Sequence, residues 1–230
     1  MKKASACLSS VFLVLLILLC GCAEQTRFQP LEVKEFGYSV INGEIVYAAC
    51  IHNPNESMHV NFSTIRVSAK DANGVILGTK EDYLNQIYPQ QDVWISWSGC
   101  EVEEDPLTVI VEVKPYDESS VRKVSKAQHQ TYIPLRVINY AKREKSYSSW
   151  IDSTLFSGYK IVGEIINEND YSIKSANVTV VYRDEEGKII GGQTEMVSSI
   201  AANGTTPFEM DEYANYSFGD SIELYASMVD

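Results

Sequence analysis

The chain has 230 residues, of which 45% are hydrophobic, 22% charged and 10% aromatic. These proportions exclude a disordered or collagen-like chain and allow one large domain or two small ones, at roughly 100–200 residues each. The net charge of −12, from 19 Lys+Arg against 31 Asp+Glu, opposes a phosphate backbone, so nucleic acid is not an expected partner.

The first segment reads as an address. Lys2 and Lys3 precede an unbroken apolar run from Val11 to Leu19. That run is short of the ~20 apolar residues that span a bilayer and has the length of a signal-peptide core. It ends in Leu19-Cys20-Gly21-Cys22, which resembles a prokaryotic lipobox, the motif whose Cys receives diacylglycerol. Gly21 gives a small residue at the cleavage site, so Cys22 rather than Cys20 is the expected lipidated residue. Each buried CH₂ of an acyl chain contributes about 0.8 kcal/mol, so two or three chains, palmitate among them, would hold the protein on a membrane. Residues 1–21 are therefore expected to be a signal peptide and 22–29 a tether.

Five cysteines occur, and only Cys50 and Cys100 lie beyond this segment. In an extracytoplasmic protein a disulfide between them is the favoured expectation, with two buried free thiols as the other. Their spacing matches no zinc motif.

The remaining chain is written twice. Pro30-Leu-Glu-Val-Lys-Glu-Phe36 is echoed by Pro134-Leu-Arg-Val-Ile-Asn-Tyr140, and Cys50-Ile-His-Asn53 by Glu164-Ile-Ile-Asn167. From Ile65 to Cys100 the echo runs without a gap at a constant offset of 113. Leu107–Val111 is echoed by Ile222–Ala226, and about ten extra residues enter the second copy around Ser146–Ser157. Within each copy apolar residues recur with period two, as in Val178, Val180 and Tyr182, which predicts half-buried strands. Asp71-Ala-Asn-Gly74 and Asp184-Glu-Glu-Gly187 supply turn chemistry. The expected fold class is all-β: two tandem immunoglobulin-like antiparallel β-sandwiches over 30–117 and 132–230, joined by a linker at 118–131.

The run Gly163-Glu-Ile-Ile-Asn167, then Val178 through Gly191, then Asn203-Gly204 and Pro207-Phe208-Glu209, resembles the FxLYD domain. This is a small immunoglobulin-like, water-stress-like sandwich of prokaryotic secreted proteins and lipoproteins. The naming motif stands here as Val180-Val-Tyr-Arg-Asp184 and Val67-Ser-Ala-Lys-Asp71, with only the Asp identical in both copies. The resemblance implies a non-catalytic module and brings no active-site residues.

Chemistry-bearing motifs are sparse. His52, His59 and His129 have no motif partner, and no hydrolase, zinc-protease, phosphate-loop or dinucleotide pattern occurs. Glu101-Val-Glu-Glu-Asp105 and Asp184-Glu-Glu186 lack the spaced ladder of a calcium loop and read as solvated turns. Arg122, Lys123 and Lys126 make the linker basic, short of a lipid-binding cluster. Asn-x-Ser/Thr triplets at Asn55, Asn61, Asn177, Asn203 and Asn215 matter only in a glycosylating host. Neither metal nor cofactor is expected.

Aromatic residues carry the one hint of binding. Alternation in Val93-Trp94-Ile95-Ser96-Trp97 places Trp97 on the core face and Trp94 on the other, and Trp150 falls in the insertion. Exposed, both would be anchors for an envelope protein or glycan. The competing expectation, which carries somewhat more weight, has Trp94 covering a neighbouring strand or the domain junction and Trp150 capping a sandwich end. On the exposed reading Trp94→Ala would be tolerated, whereas Trp97→Ala would cost about 3–5 kcal/mol. The expected function is a non-enzymatic cell-envelope lipoprotein, extracytoplasmic and membrane-anchored, acting as a binding, scaffold or spacer module. The alternative is a lipoprotein that captures a small molecule, peptide or glycan, and its mark would be a cleft between the two domains.

Overall fold

A computed structural model of the chain describes residues 27–125, 132–148, 155–212 and 221–229. Cys22, the expected lipidation site, and Trp150, His129 and Lys126 lie outside the described residues. The first repeat builds β1 (Glu32–Ile41), β2 (Glu44–His52), β3 (Met58–Val60), β4 (Ser63–Lys70), β5 (Ile76–Leu84), β6 (Asp92–Glu101), β7 (Thr108–Pro115) and β8 (Val121–Lys123). The second builds β9 (Arg136–Ser148), β10 (Leu155–Asn167), β11 (Ile173–Arg183), β12 (Ile189–Ile200), β13 (Gly204–Glu212) and β14 (Ser221–Met228). The all-β tandem expected from period-two patterning is what the chain forms.

Each repeat has two three-stranded antiparallel sheets, and the first adds the small two-stranded sheet β3-β8. The first domain stacks β1-β2-β6 on β5-β4-β7, and the second stacks β13-β10-β9 on β12-β11-β14. Inward residues fill one core per domain. Ile45, Tyr47, Ala49, Ile51, Ile65, Val67, Val93 and Ile95 belong to the first. Ile161, Ile165, Ala176, Val178, Val180, Phe208 and Met210 belong to the second. The offset of 113 continues through the last strand: Arg66 faces Glu112 across β4–β7 and Thr179 faces Tyr225 across β11–β14. Val111 therefore corresponds to Leu224, and the sequence pairing of Leu107–Val111 with Ile222–Ala226 is two residues out. The ten extra residues lengthen the β9–β10 hairpin, whose pairing continues to Ser148 and Leu155.

The Asp-x-x-Gly turns form alike in both copies. Asp71 Oδ1 accepts from the Asn73 and Val75 amides at 2.8 Å, and Asp184 Oδ1 accepts from the Lys188 amide at 2.8 Å. Gly74 and Gly187 take φ of 81° and 79°, left-handed values that a Cβ disfavours.

A second shared device was only half legible. Asn53 and Asn167 are fully buried. The Asn53 amide donates to the carbonyls of Met58 and Ile87, and that of Asn167 to Tyr171 and Ala201. Two residues on, Asn55 and Asn169 each clasp the segment that leads into the first strand of their own domain. Asn55 accepts from the Gln29 amide and donates to its carbonyl, and Asn169 does the same with Ile133. A buried carboxamide that meets backbone groups this way stitches three segments at little net cost. It also removes Asn55 from glycosylation in the folded chain.

The linker starts later than 118. Glu118–Ser120 forms a 3₁₀ turn capped by Asp117, and Val121–Lys123 pairs with Met58–Val60, so these residues belong to the first domain.

Candidate functional site: the face between the domains

Strands β2 and β11 are buried on both sides, unlike the half-buried strands expected. Ala48, Cys50 and Trp94 on the outer face of β1-β2-β6 pack with Val181 and Ile189 of the second domain in a third apolar cluster, flanked by Tyr225. The signal was in the sequence: Ile45-Val-Tyr-Ala-Ala-Cys-Ile51 is a continuous apolar run, the mark of a strand covered on both faces.

Trp94 is the centre of this contact. It is 8% exposed, and its ring stacks on Tyr225 with centroids 4.7 Å apart and planes 17° from parallel. The expectation of a solvent-facing anchor at Trp94 is therefore corrected, and the competing expectation of a tryptophan covering the domain junction holds. Alternation placed the side chain on the outer face as expected, but that face is occupied by the other half of the chain. Tyr225 in turn donates to Glu223 Oε2 at 2.9 Å, and burial, then this bond, push its phenol up to about 12.

Polar bonds fix the register. Thr179 Oγ1 donates to the Trp94 carbonyl at 2.9 Å, and the Ser96 amide donates to Thr194 Oγ1 at 3.1 Å. The two threonine hydroxyls lie 2.9 Å apart. Since the Thr179 proton is committed to Trp94, Thr194 is the donor of that pair. Ser39 Oγ donates to the Ile190 carbonyl, and Arg183 bridges the domains by donating to Glu35 at 2.6 Å. At one margin Tyr132 stacks on Tyr88 of the first domain at 4.5 Å, and His59 stacks on the other side of Tyr88 at 4.5 Å.

Close backbone approach needs small residues. A Cβ on Gly37 would sit 2.2 Å from the Ile189 carbonyl oxygen, and one on Gly191 would sit 3.2 Å from Val46 Cγ1. With Gly192 beside Ser96, these contacts carry β12 across β1, then β2, then β6, so the strands of the two sheets cross steeply.

The contact is heterologous, because each domain contributes a different face. Equivalent positions explain why it forms only once. On the free face of the second domain, Glu164, Pro207 and Glu209 stand where Cys50, Trp94 and Ser96 stand in the first, by cross-strand register. On the free face of the first domain, Arg66, Glu81 and Glu112 replace Thr179, Thr194 and Tyr225. Arg66 is held there by Glu81 at 2.8 Å. Charge on both free faces blocks a third module from joining the stack.

Cys50 and Cys100 are both buried free thiols, so the expected disulfide is corrected. Cys50 lies beside Trp94 across β2–β6. Cys100 is six residues further along β6, roughly 20 Å at strand rise, whereas a bridge needs Cα atoms within about 7 Å. Cys100 also faces the first core and Cys50 the junction. Burial, reinforced by Asp92, pushes the Cys50 thiol up to about 12, which keeps it protonated and unreactive. Thiol titration of a soluble fragment starting at Arg27, whose only cysteines are Cys50 and Cys100, is expected to find no reactive group in the native state and two once it is unfolded without reductant. No thiol in the unfolded chain would restore the bridge.

Groups with catalytic character are few. His52 Nδ1 lies 2.6 Å from Asp92 Oδ1, and Lys34 donates to the same carboxylate at 3.0 Å. This contact follows from the cross-strand pairing of His52 with Asp92, which no sequence spacing announces. It ties down the end of β2. Among the described residues no group of three His, Cys, Asp or Glu is placed to hold a metal ion, and no helix is long and apolar enough to cross a membrane.

No known family matches the chain, and neither does any curated protein. Among solved structures the chain is similar to the N-terminal CBM22-1-CBM22-2 tandem domain of Xyn10C from Paenibacillus barcinonensis. The similarity spans 90% of this chain and 92% of that one, at 10% identity and a TM-score of 0.20.

Proposed function

We propose that the protein is a non-catalytic lipoprotein of the cell envelope, built from two FxLYD-type modules and held outside the membrane by lipid on Cys22. It acts as a rigid scaffold or spacer that holds a binding partner at a fixed place. The observation that supports this reading is the junction around Trp94. Apolar packing, five inter-domain hydrogen bonds among the described residues and the Tyr88–Tyr132 stack make the two sandwiches one body. A ligand-capturing lipoprotein would use a cleft between its domains, and here Trp94, Tyr225, Val181 and Ile189 fill that space.

The anchor is tested by fractionation. The native chain is expected in the membrane fraction, released only by detergent, with diacylglycerol on its N-terminal peptide. Cys22→Ser should release the protein or leave an uncleaved precursor. A Cys22→Ser protein that is still processed and still needs detergent refutes the reading.

A further inference from the structure

One end of the first domain carries apolar and aromatic surface that the junction does not use. Phe62, Tyr83 and Tyr116 form a ring cluster with centroids 5.2, 5.5 and 6.0 Å apart. Tyr83 and Tyr116 are 51% and 56% exposed. Beside them a groove of about 600 Å³ is lined by Phe28, Met58, Pro115 and Val121, with Asp117 and Glu118 at its edge. The Tyr116 amide donates to the Phe62 carbonyl and the Asn61 amide to Ser120, so cluster and groove share one rigid surface.

The chain enters the domain at this same end. Phe28 lines the groove, and Gln29 is clasped by Asn55 through both its backbone groups. Only residues 23–26 separate Arg27 from Cys22. Five Cα steps reach at most about 18 Å in any conformation. A lipid on Cys22 therefore holds this end of the domain within that distance of the acyl chains. Exposed Arg27, Arg122 and Lys123 stand at the same end, against exposed Glu56, Asp117 and Glu118. Asp117 is already satisfied by Ser119 and Ser120, which it accepts from.

We propose that this end of the first domain lies on the phospholipid surface as a second membrane contact. Tyr83, Tyr116 and Phe62 sit at headgroup level, and the Phe28–Val121 groove faces the acyl boundary. The proposal rests on lipidation of Cys22. Tyrosine suits this depth, because its ring is apolar and its hydroxyl stays in water. Arg122 and Lys123 add attraction for anionic headgroups. The consequence is orientation: lipid alone would leave the rigid body free to tumble about its tether, whereas a second contact fixes its tilt.

Tyrosine nitration by tetranitromethane tests this on the lipidated chain bound to vesicles of phosphatidylcholine with phosphatidylglycerol. The reference is the mature Cys22→Ser chain in solution. Nitration of Tyr83 and Tyr116 is expected to be roughly tenfold slower on vesicles, the protection of rings withdrawn to the interface, while Tyr140 and Tyr171 in the second domain react equally in both samples. Equal nitration of Tyr83 and Tyr116 in both samples, on a chain whose N-terminal peptide carries lipid, overturns the docking and leaves the anchor standing. A chain without lipid on that peptide overturns both. Protection of the same two tyrosines by a cell-wall glycan but not by vesicles assigns the surface to sugar and overturns the bilayer contact.

Discussion

Trp94→Ala is expected to cost about 3–5 kcal/mol, the range for removing a large buried aromatic side chain. The loss falls on a contact between domains rather than on either core, since Ile45, Tyr47 and Ile95 still fill the first and Val178, Phe208 and Met210 the second. What empties is the space bounded by Ala48, Cys50, Val181, Ile189 and the face of Tyr225. The Trp94 carbonyl also loses the fixed position from which it accepts the Thr179 proton. A small domain has only ~5–15 kcal/mol of stability, so coupling of this size decides whether the two unfold together. Chemical denaturation of the native chain should give one transition, and that of Trp94→Ala should give two, with the first at lower denaturant. A variant that unfolds in one transition at the native midpoint would place Trp94 outside the stability of the protein.

Gly37→Val produces the same separation from the other side, by insertion. The Cβ alone would lie 2.2 Å from the Ile189 carbonyl oxygen and 2.5 Å from the Ile189 Cβ, both far inside contact distance. Gly37 sits on the outer face of β1, opposite Ala48 across β1–β2, so the added methyl groups enter the junction and neither core. The sheets must part. Separation breaks the Ser39–Ile190 and Arg183–Glu35 bonds, which need the present spacing. Overpacking of this kind costs typically 1–3 kcal/mol, and more where the obstacle is backbone. The variant is expected to keep its β-sheet circular dichroism and to expose Cys50 to thiol reagents while Cys100, inside the first core, stays protected. Protection of both thiols would mean that the junction absorbs the wedge.

The fold was legible in the sequence to a large extent, because a repeat at constant offset states the same architecture twice. Alternation located the strands, and the Asp-x-x-Gly turns appeared where their chemistry placed them. The junction was less legible. Which face of Trp94 points outward follows from period two, but what covers that face depends on contacts between residues about 85 apart, such as Trp94 with Thr179. Period two alone led to half-buried strands in both copies, although the continuous run Ile45–Ile51 and the charges of the equivalent second-copy strand, Lys160 and Glu164, carry the difference between a strand covered on both faces and one that is not. The cysteines failed for a related reason. Being the two left after the expected leader made them a pair by arithmetic, while strand register sets them far apart and on opposite faces. His52 and Asp92 show the reverse case, adjacent only because β2 and β6 pair.

The central claim is that the two sandwiches form one rigid body locked through Trp94. Residual dipolar couplings of the backbone amides, measured on the mature chain in a dilute aligning medium, test it most directly. Couplings from 30–124 and from 132–229 are expected to fit a single alignment tensor, with the strand directions of the steeply crossed sheets. Two tensors of different magnitude or orientation, one for each domain, would contradict it.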